Sequence, residues 1–374
     1  CCILRAATDD LIRRARVDRT LVIEGRINAV NRTGADCMLK LTKKYLALFA
    51  LMLSCLLLLA GCGGAPKQQP EPDKHKQQSL VLYSELDNKF TEDLVAAFNK
   101  EQKELQLQAI YELKPDGVKP DVVLAERRTL SGLQRQEHLK PLAFAAGDSL
   151  PKKFRDEDLY WYGVFYDPTV FLINQQYART LGQSKLKSWK DLENTEQLRI
   201  AMENLSDSNS TQNFLAAFAD HYGESVSLNY LWNINRFIGQ YSKFPFTPIR
   251  MTAVGDADLA ITRQSYVFKY LESKFPAYVV YPEEGTAVNL FCVGVFQSCR
   301  QDANALTFME WLLTEPSVQK ISQEDATGYL FLFPRGIDGA AADGEKIWLN
   351  NSYLEPDKQE SLTRKWLDKV RFSK

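Results

Sequence analysis

Few residues of this chain are set out to make or break bonds. It holds three histidines, His75, His138 and His221, and none stands in an H-E-x-x-H pair. No G-x-S-x-G exposes a serine. A hydrolase needs a nucleophile beside a base, or paired carboxylates in a cleft, and the sequence spells out neither. It does spell out binding chemistry. Ser206-Asp207-Ser208-Asn209-Ser210-Thr211 leads into a stretch of helical spacing, Gln212 to Tyr222. Hydroxyls and free N–H groups at a helix start hold anions, which makes Ser208, Ser210 and Thr211 candidate ligand contacts. Ordinary N-capping uses the same residues. Cys292 and Cys299 are either a disulfide or two buried free thiols on neighbouring elements. No histidine lies near enough to suggest zinc.

A third cysteine has a different setting. Lys40, Lys43 and Lys44 precede an almost unbroken apolar run from Tyr45 to Ala60. Basic start, apolar middle and small residues are the pattern of an export signal, here 38–61. Leu59-Ala60-Gly61-Cys62 looks like the lipobox of bacterial lipoproteins. On that reading the signal is removed and Cys62 carries the acyl chains, palmitate among them. The protein is then anchored outside the cytoplasmic membrane. The run is shorter than the ~20 apolar residues that span a bilayer comfortably, though a retained helix is the alternative. Residues 1–37 precede Met38 and are expected to be an upstream extension, not a domain. Residues 62–78 are rich in Pro, Gln and Lys and read as a disordered tether.

Of the 46 basic and 47 acidic residues, 10 and 5 stand before Cys62, leaving a net charge of −6 after it. No basic cluster follows Cys62, so nucleic acid is a poor partner. The 313 residues from Cys62 onward suffice for one two-lobed protein. From Leu80 strand and helix patterns alternate, as in an open α/β sheet. Strands are expected at Leu80–Tyr83, Leu105–Tyr111, Asp121–Ala125, Arg199–Met202, Asp258–Thr262, Ala277–Tyr281 and Ala287–Phe296. Leu159–Ile173 reads as one or two strands broken at Asp167-Pro168. Helices are expected at Asp87–Lys100, Leu130–Gln136, Gln212–Tyr222, Ser225–Tyr241, Tyr266–Ser273, Asp302–Leu313 and Pro356–Val370.

Six stretches in this order resemble the solute-binding proteins of ABC importers, in the branch of the ferric-iron binders and their relatives. They are Leu80-Val81-Leu82-Tyr83-Ser84, Asp121-Val122-Val123-Leu124-Ala125-Glu126, Lys187-Ser188-Trp189-Lys190-Asp191-Leu192, Arg199-Ile200-Ala201-Met202, Pro282-Glu283-Glu284-Gly285-Thr286 and Asn304 to Leu313. The resemblance covers roughly 79–335. It implies a two-lobed periplasmic-binding-protein type II fold with a hinge and an interlobe cleft. Lobe one would take 79–165 and 267–374, and lobe two 166–266. It implies a monomer that delivers a small solute to an ABC importer permease. The solute would be Fe(III) or a small organic or phosphorylated anion, and no cofactor is implied. The resemblance places Ser84, Asp87, Glu126 and Tyr266 at the ligand, with Asp87, Glu126 and Tyr266 as the oxygens for a metal. This sequence has one tyrosine at 266 where the iron binders carry two adjacent ones, and an aspartate, Asp87, near their histidine. An exported hydrolase, or a tethered sensor lobe without transport, are the readings from other classes.

Overall fold

The computed structural model describes residues 78–181, 186–271, 275–324, 327–332 and 346–373. The expected signal, Cys62, residues 1–37 and nearly all of the tether lie outside them. No helix among the described residues is long and apolar enough to cross a membrane.

The strands in chain order begin with β1 (Gln78–Ser84), β2 (Leu105–Ile110), β3 (Val122–Glu126), β4 (Leu139–Lys140), β5 (Trp161–Asn174) and β6 (Ile200–Glu203). They continue with β7 (Ile238–Ser242), β8 (Leu259–Arg263), β9 (Ala277–Val280), β10 (Thr286–Phe296), β11 (Leu330–Phe331) and β12 (Ile347–Trp348). The main sheet order is β2-β1-β3-β10-β5-β8-β6-β7. Parallel pairing of β1 with β2 and β3 builds the first lobe, and parallel pairing of β6 with β7 and β8 builds the second.

β5 joins them. Its first half runs antiparallel to β10, from Trp161 opposite Gly294 to Pro168 opposite Val288. Its second half, from Thr169, pairs with β8 and β9. The strand therefore continues through Asp167-Pro168, where a break was one expectation. Pro168 lacks an N–H, and it sits where the strand's neighbours change, a position that tolerates a missing ladder bond.

Local signals place the helices. Asp87 Oδ1 accepts from Lys89 N and caps the helix Asn88–Glu101. Phe90, Leu94 and Phe98, four apart, are buried against the first-lobe sheet. Each such side chain contributes about 1.5–3 kcal/mol by leaving water. Ser208 and Thr211 form a reciprocal capping box at the helix Asn209–Tyr222. That helix buries Phe214, Leu215 and Phe218 beside Trp189 in the second-lobe core.

Two expectations need correction, and the open alternative for the cysteines is decided. Helical spacing continues from Ser225 to Tyr241, but the helix is Glu224–Asn235 and the chain then pairs β7 with β6. Ile238 and Tyr241 happen to keep the helical period, so spacing alone misses the switch. The segment from 267 onward does not stay in lobe one: β9 pairs with β5 beyond Pro168, and Leu362, Trp366 and Val370 fill the second-lobe core. Cys292 and Cys299 are free and buried. Cys292 packs with Val123, Ala125 and Leu130, while Cys299 packs in the other cluster with Phe308. The two thiols therefore serve different cores.

Candidate functional site

Strand ends and helix starts converge where the lobes meet. β3 ends at Glu126, β8 ends at Arg263, and β5 passes through Asp167. The helices Asn88–Glu101 and Asn209–Tyr222 begin beside them.

Arg263 is the hub. Its side chain, 15% exposed, lies 3.4 Å from Asp167 Oδ2 and 3.6 Å from Glu126 Oε1. Its guanidinium carbon stands 4.0 Å from the Tyr266 ring centroid, within range of a cation–π contact. Asp167 is fully buried and accepts from Ser265 N at 3.0 Å and Ser265 Oγ at 2.5 Å. Burial opposes the charge on Arg263, but Asp167, Tyr266 and Glu126 outweigh it and hold the guanidinium above its usual range. Burial raises the Asp167 carboxyl, against the pull of Arg263. Burial also pushes Glu203 up to about 7, with Arg263 opposing and Asp207 and Asp167 adding to it. Near neutral pH, Glu203 is thus poised to hold or release a proton.

Two cavities open at this hub. The larger, about 700 Å³, is lined by Glu85, Asp87, Lys89, Arg263, Tyr266, Phe268, Lys269 and Tyr329, among others. That is room for a small-molecule solute. The smaller, about 30 Å³, is lined by Glu203, Ser210, Thr211, Thr262 and Arg263, among others. It has room for about one or two waters.

Each candidate residue has a definite place. Ser84 is buried; its Oγ pairs with Thr91 Oγ1 at 2.8 Å and accepts from Leu86 N at 3.2 Å, so it closes the turn after β1. Asp87 lines the large cavity, where Oδ2 takes Lys269 Nζ at 2.8 Å. Burial raises its carboxyl, but the bonds from Lys269 and Lys89 N bring it below the usual range. Glu126 Oε1 accepts from Ser210 Oγ at 2.8 Å. Ser208 and Thr211 are occupied with each other at the helix start. Tyr266 lines the large cavity; burial raises its phenol, and Arg263 counteracts this.

The proposed metal oxygens are thus already matched to cations: Asp87 to Lys269, Glu126 and Tyr266 to Arg263. Among the described residues, no three His, Cys, Asp or Glu side chains converge as a metal site would require.

Sequence reasoning passed over Arg263, Lys269, Asp167 and Glu203. Two signals for them exist. Asp167 interrupts an otherwise apolar strand, and Arg263 closes the apolar run Leu259-Ala260-Ile261-Thr262 as Glu126 closes Val122 to Ala125.

Comparison with known proteins fits this architecture. Residues 118–346 match the family described as bacterial extracellular solute-binding protein. The Iron uptake protein A1 of Synechocystis is 23% identical over 295 residues, spanning 72% of this chain and 80% of that protein. The maltodextrin-binding protein MdxE of Bacillus subtilis is 24% identical over 340 residues, spanning 86% of this chain and 75% of that one. Ferric iron-binding protein A of Mannheimia haemolytica, in an open conformation, superimposes with a TM-score of 0.64 at 19% identity, covering 79% of this chain and 99% of that one. The periplasmic binding protein AfuA of Actinobacillus pleuropneumoniae, bound to fructose-6-phosphate, superimposes at 0.61 with 19% identity, covering 79% and 100%. At such identities the structural likeness is one of fold. A family match across more than half of the sequence, on a fold with a cavity where its two lobes meet, makes this chain a member of the bacterial extracellular solute-binding proteins.

Proposed function

We propose that this protein captures a small anionic solute in the 700 Å³ interlobe cavity and hands it to an importer permease, without chemical turnover. The observation that carries this reading is the Arg263 guanidinium on the cavity wall, beside Lys89 and Lys269, which are themselves paired with Asp93 and Asp87. Two carboxylates, Glu85 and Asp87, line it too. Burial first and the nearby Glu126 charge raise the Glu85 carboxyl, against hydrogen bonds from Glu126 N, Thr129 and Tyr83. Asp87 is neutralised by Lys269. Arg263 is always charged and presents a planar set of donors, the group suited to carboxylate or phosphate. Lys269 pairs with Asp87, and Arg263 faces Glu126 and Tyr266, so cations of the protein already sit against the oxygens that a bare Fe(III) would need. A lipid on Cys62 would keep the protein near its permease, since about 0.8 kcal/mol per buried CH₂ makes several acyl chains a firm anchor.

Calorimetric titration of the full chain with citrate, inorganic phosphate and Fe(III) tests the reading. The expected result is binding of at least one anion, lost in Arg263→Gln. Binding of Fe(III) alone, or anion binding unchanged in Arg263→Gln, would overturn it.

A further inference from the structure

A path of aromatic rings leads out of the large cavity along the second lobe. Its inner end is Tyr266, on the cavity wall, with the Arg263 guanidinium carbon 4.0 Å from its ring centroid. The Tyr270 ring follows, 6.1 Å from Tyr266 between centroids. Phe246 lies 6.0 Å from Tyr270, and Phe244 lies 5.8 Å from Phe246 and nearly parallel to it, at 18°. Tyr266 is half-buried. The outer three rings are open to solvent: Tyr270 is 41% exposed, Phe246 43% and Phe244 55%. Contiguous exposed apolar surface of this kind marks a place where something binds.

The fold puts the path on the ligand side of the sheet. β6, β7 and β8 run parallel and end at Glu203, Ser242 and Arg263. In an open α/β sheet, ligands sit in the crevice beyond such strand ends. Phe244 and Phe246 stand directly after the end of β7. Their turn is braced rather than loose: the Phe244 carbonyl accepts from Ser242 Oγ at 2.9 Å and from Thr247 N at 3.1 Å. The first lobe repeats the arrangement. Exposed Leu113 and Val118 follow β2, its outermost strand, as the two phenylalanines follow β7, the outermost strand of the second lobe.

We infer that the solute is an aryl-bearing anion, whose carboxylate or phosphate meets Arg263 and whose aromatic body lies along Tyr270 and Phe246 toward Phe244. This rests on the anion-capture reading above. Two features name the occupant. The path is continuous with the cavity, and the charge an anion needs stands at its inner end. Its outer end offers almost no polar atoms, since the phenyl rings carry none and the Phe244 carbonyl is already bonded. Such a surface suits a ring, which prefers offset or edge contacts with other rings. It does not suit a sugar, whose hydroxyls would lose water without gaining partners.

The test is calorimetric titration of the full chain and of the double variant Phe246→Ala/Tyr270→Ala. The probes are butyrate, 4-phenylbutyrate, inorganic phosphate, phenyl phosphate and fructose 6-phosphate. Circular dichroism verifies folding and light scattering gives the mass. For the head group it prefers, the parent is expected to bind the aryl anion at least about tenfold more tightly than its aryl-free counterpart, the gain from partly burying one ring. The double variant is expected to keep its affinity for the aryl-free anion and to retain no more than about threefold of that gain. Equal binding of the two by the parent, or a gain kept in full by the double variant, overturns the aryl body and leaves anion capture standing. The same holds for tighter binding of fructose 6-phosphate than of phenyl phosphate, and for a parent dimer that the double variant breaks, which gives the rings to a second copy. No anion bound by either protein overturns both readings.

Discussion

Ser210 Oγ lies 2.8 Å from Glu126 Oε1, and this bond ties the second lobe to the first. It is one of several such ties among the described residues. Arg128 Nη1 donates to Gln212 Oε1 at 3.0 Å, and Lys269 Nζ donates to Asp87 Oδ2 at 2.8 Å. The hydrophobic cores, by contrast, form separately in each lobe, around Phe90 and Phe308 in one and around Trp189 and Phe218 in the other. Polar ties across a cleft between independently packed lobes can be exchanged for contacts to a solute without opening either core.

Arg263→Met is expected to destabilise the protein as well as weaken solute binding. The substitution leaves Asp167, fully buried, without its cation. Breaking a buried pair in this way costs about 3–5 kcal/mol. Adding Asp167→Asn should recover part of that loss, because the neutral amide needs no counter-charge. Urea unfolding of the single and double variants measures both effects. A double variant no more stable than Arg263→Met would show that the pair is not coupled in this way.

Stability is expected to fall as pH rises from about 4.5 to about 7. Burial first, with Asp207 and Asp167 adding and Arg263 opposing, raises Glu203 to about 7 in the folded protein, against an ordinary value of 4.5. The folded state therefore holds its proton more tightly than the unfolded chain does. The favourable contribution is full below about pH 4.5 and is lost as pH rises through 7, with an upper bound of roughly 3 kcal/mol. Glu203→Gln should flatten that part of the profile, which urea midpoints at pH 5 and pH 7.5 will show.

Gly285→Ala is expected to cost roughly 2 kcal/mol or more. Gly285 has φ +106°, and a Cβ there would come within 2.5 Å of the Lys346 backbone. The Gly285 carbonyl also accepts from Trp189 Nε1 at 3.0 Å, which fixes a buried tryptophan of the second-lobe core. Thermal unfolding against an Ala control at Gly239, where a Cβ would meet nothing within 4 Å, isolates the effect.

Cys292 and Cys299 are expected to remain thiols in the folded protein. Burial raises both thiols above their usual range and so disfavours the reactive thiolate. Alkylation in denaturant without reductant should modify both, whereas a bridged pair would resist and leave the mass 2 Da lower per disulfide, a difference set by two lost hydrogens.

The α/β alternation was legible because it is written locally. Apolar runs such as Leu80 to Tyr83 and Val122 to Ala125 are strands, and Asp87 and Ser208 mark helix starts. Glu126 and Ser210 were visible for the same reason, as residues ending a strand and opening a helix. Arg263 was not, because its role depends on Asp167 and Glu126, which the sheet brings to it from distant parts of the sequence. The same holds for β9 and the C-terminal helix Pro356–Trp366. Their own patterns specify strand and helix, but only packing against β5 and against Trp189's neighbourhood assigns them to the second lobe. Asp167-Pro168 misled for a related reason. A proline usually ends a strand, and here it stands where one pair of neighbours gives way to another.

Native mass spectrometry with metal analysis, on the protein purified from its own host, tests anion capture most directly. The account predicts a small organic anion bound in near-stoichiometric amount, released by Arg263→Gln, with no stoichiometric iron. Stoichiometric iron without an accompanying organic anion would contradict it.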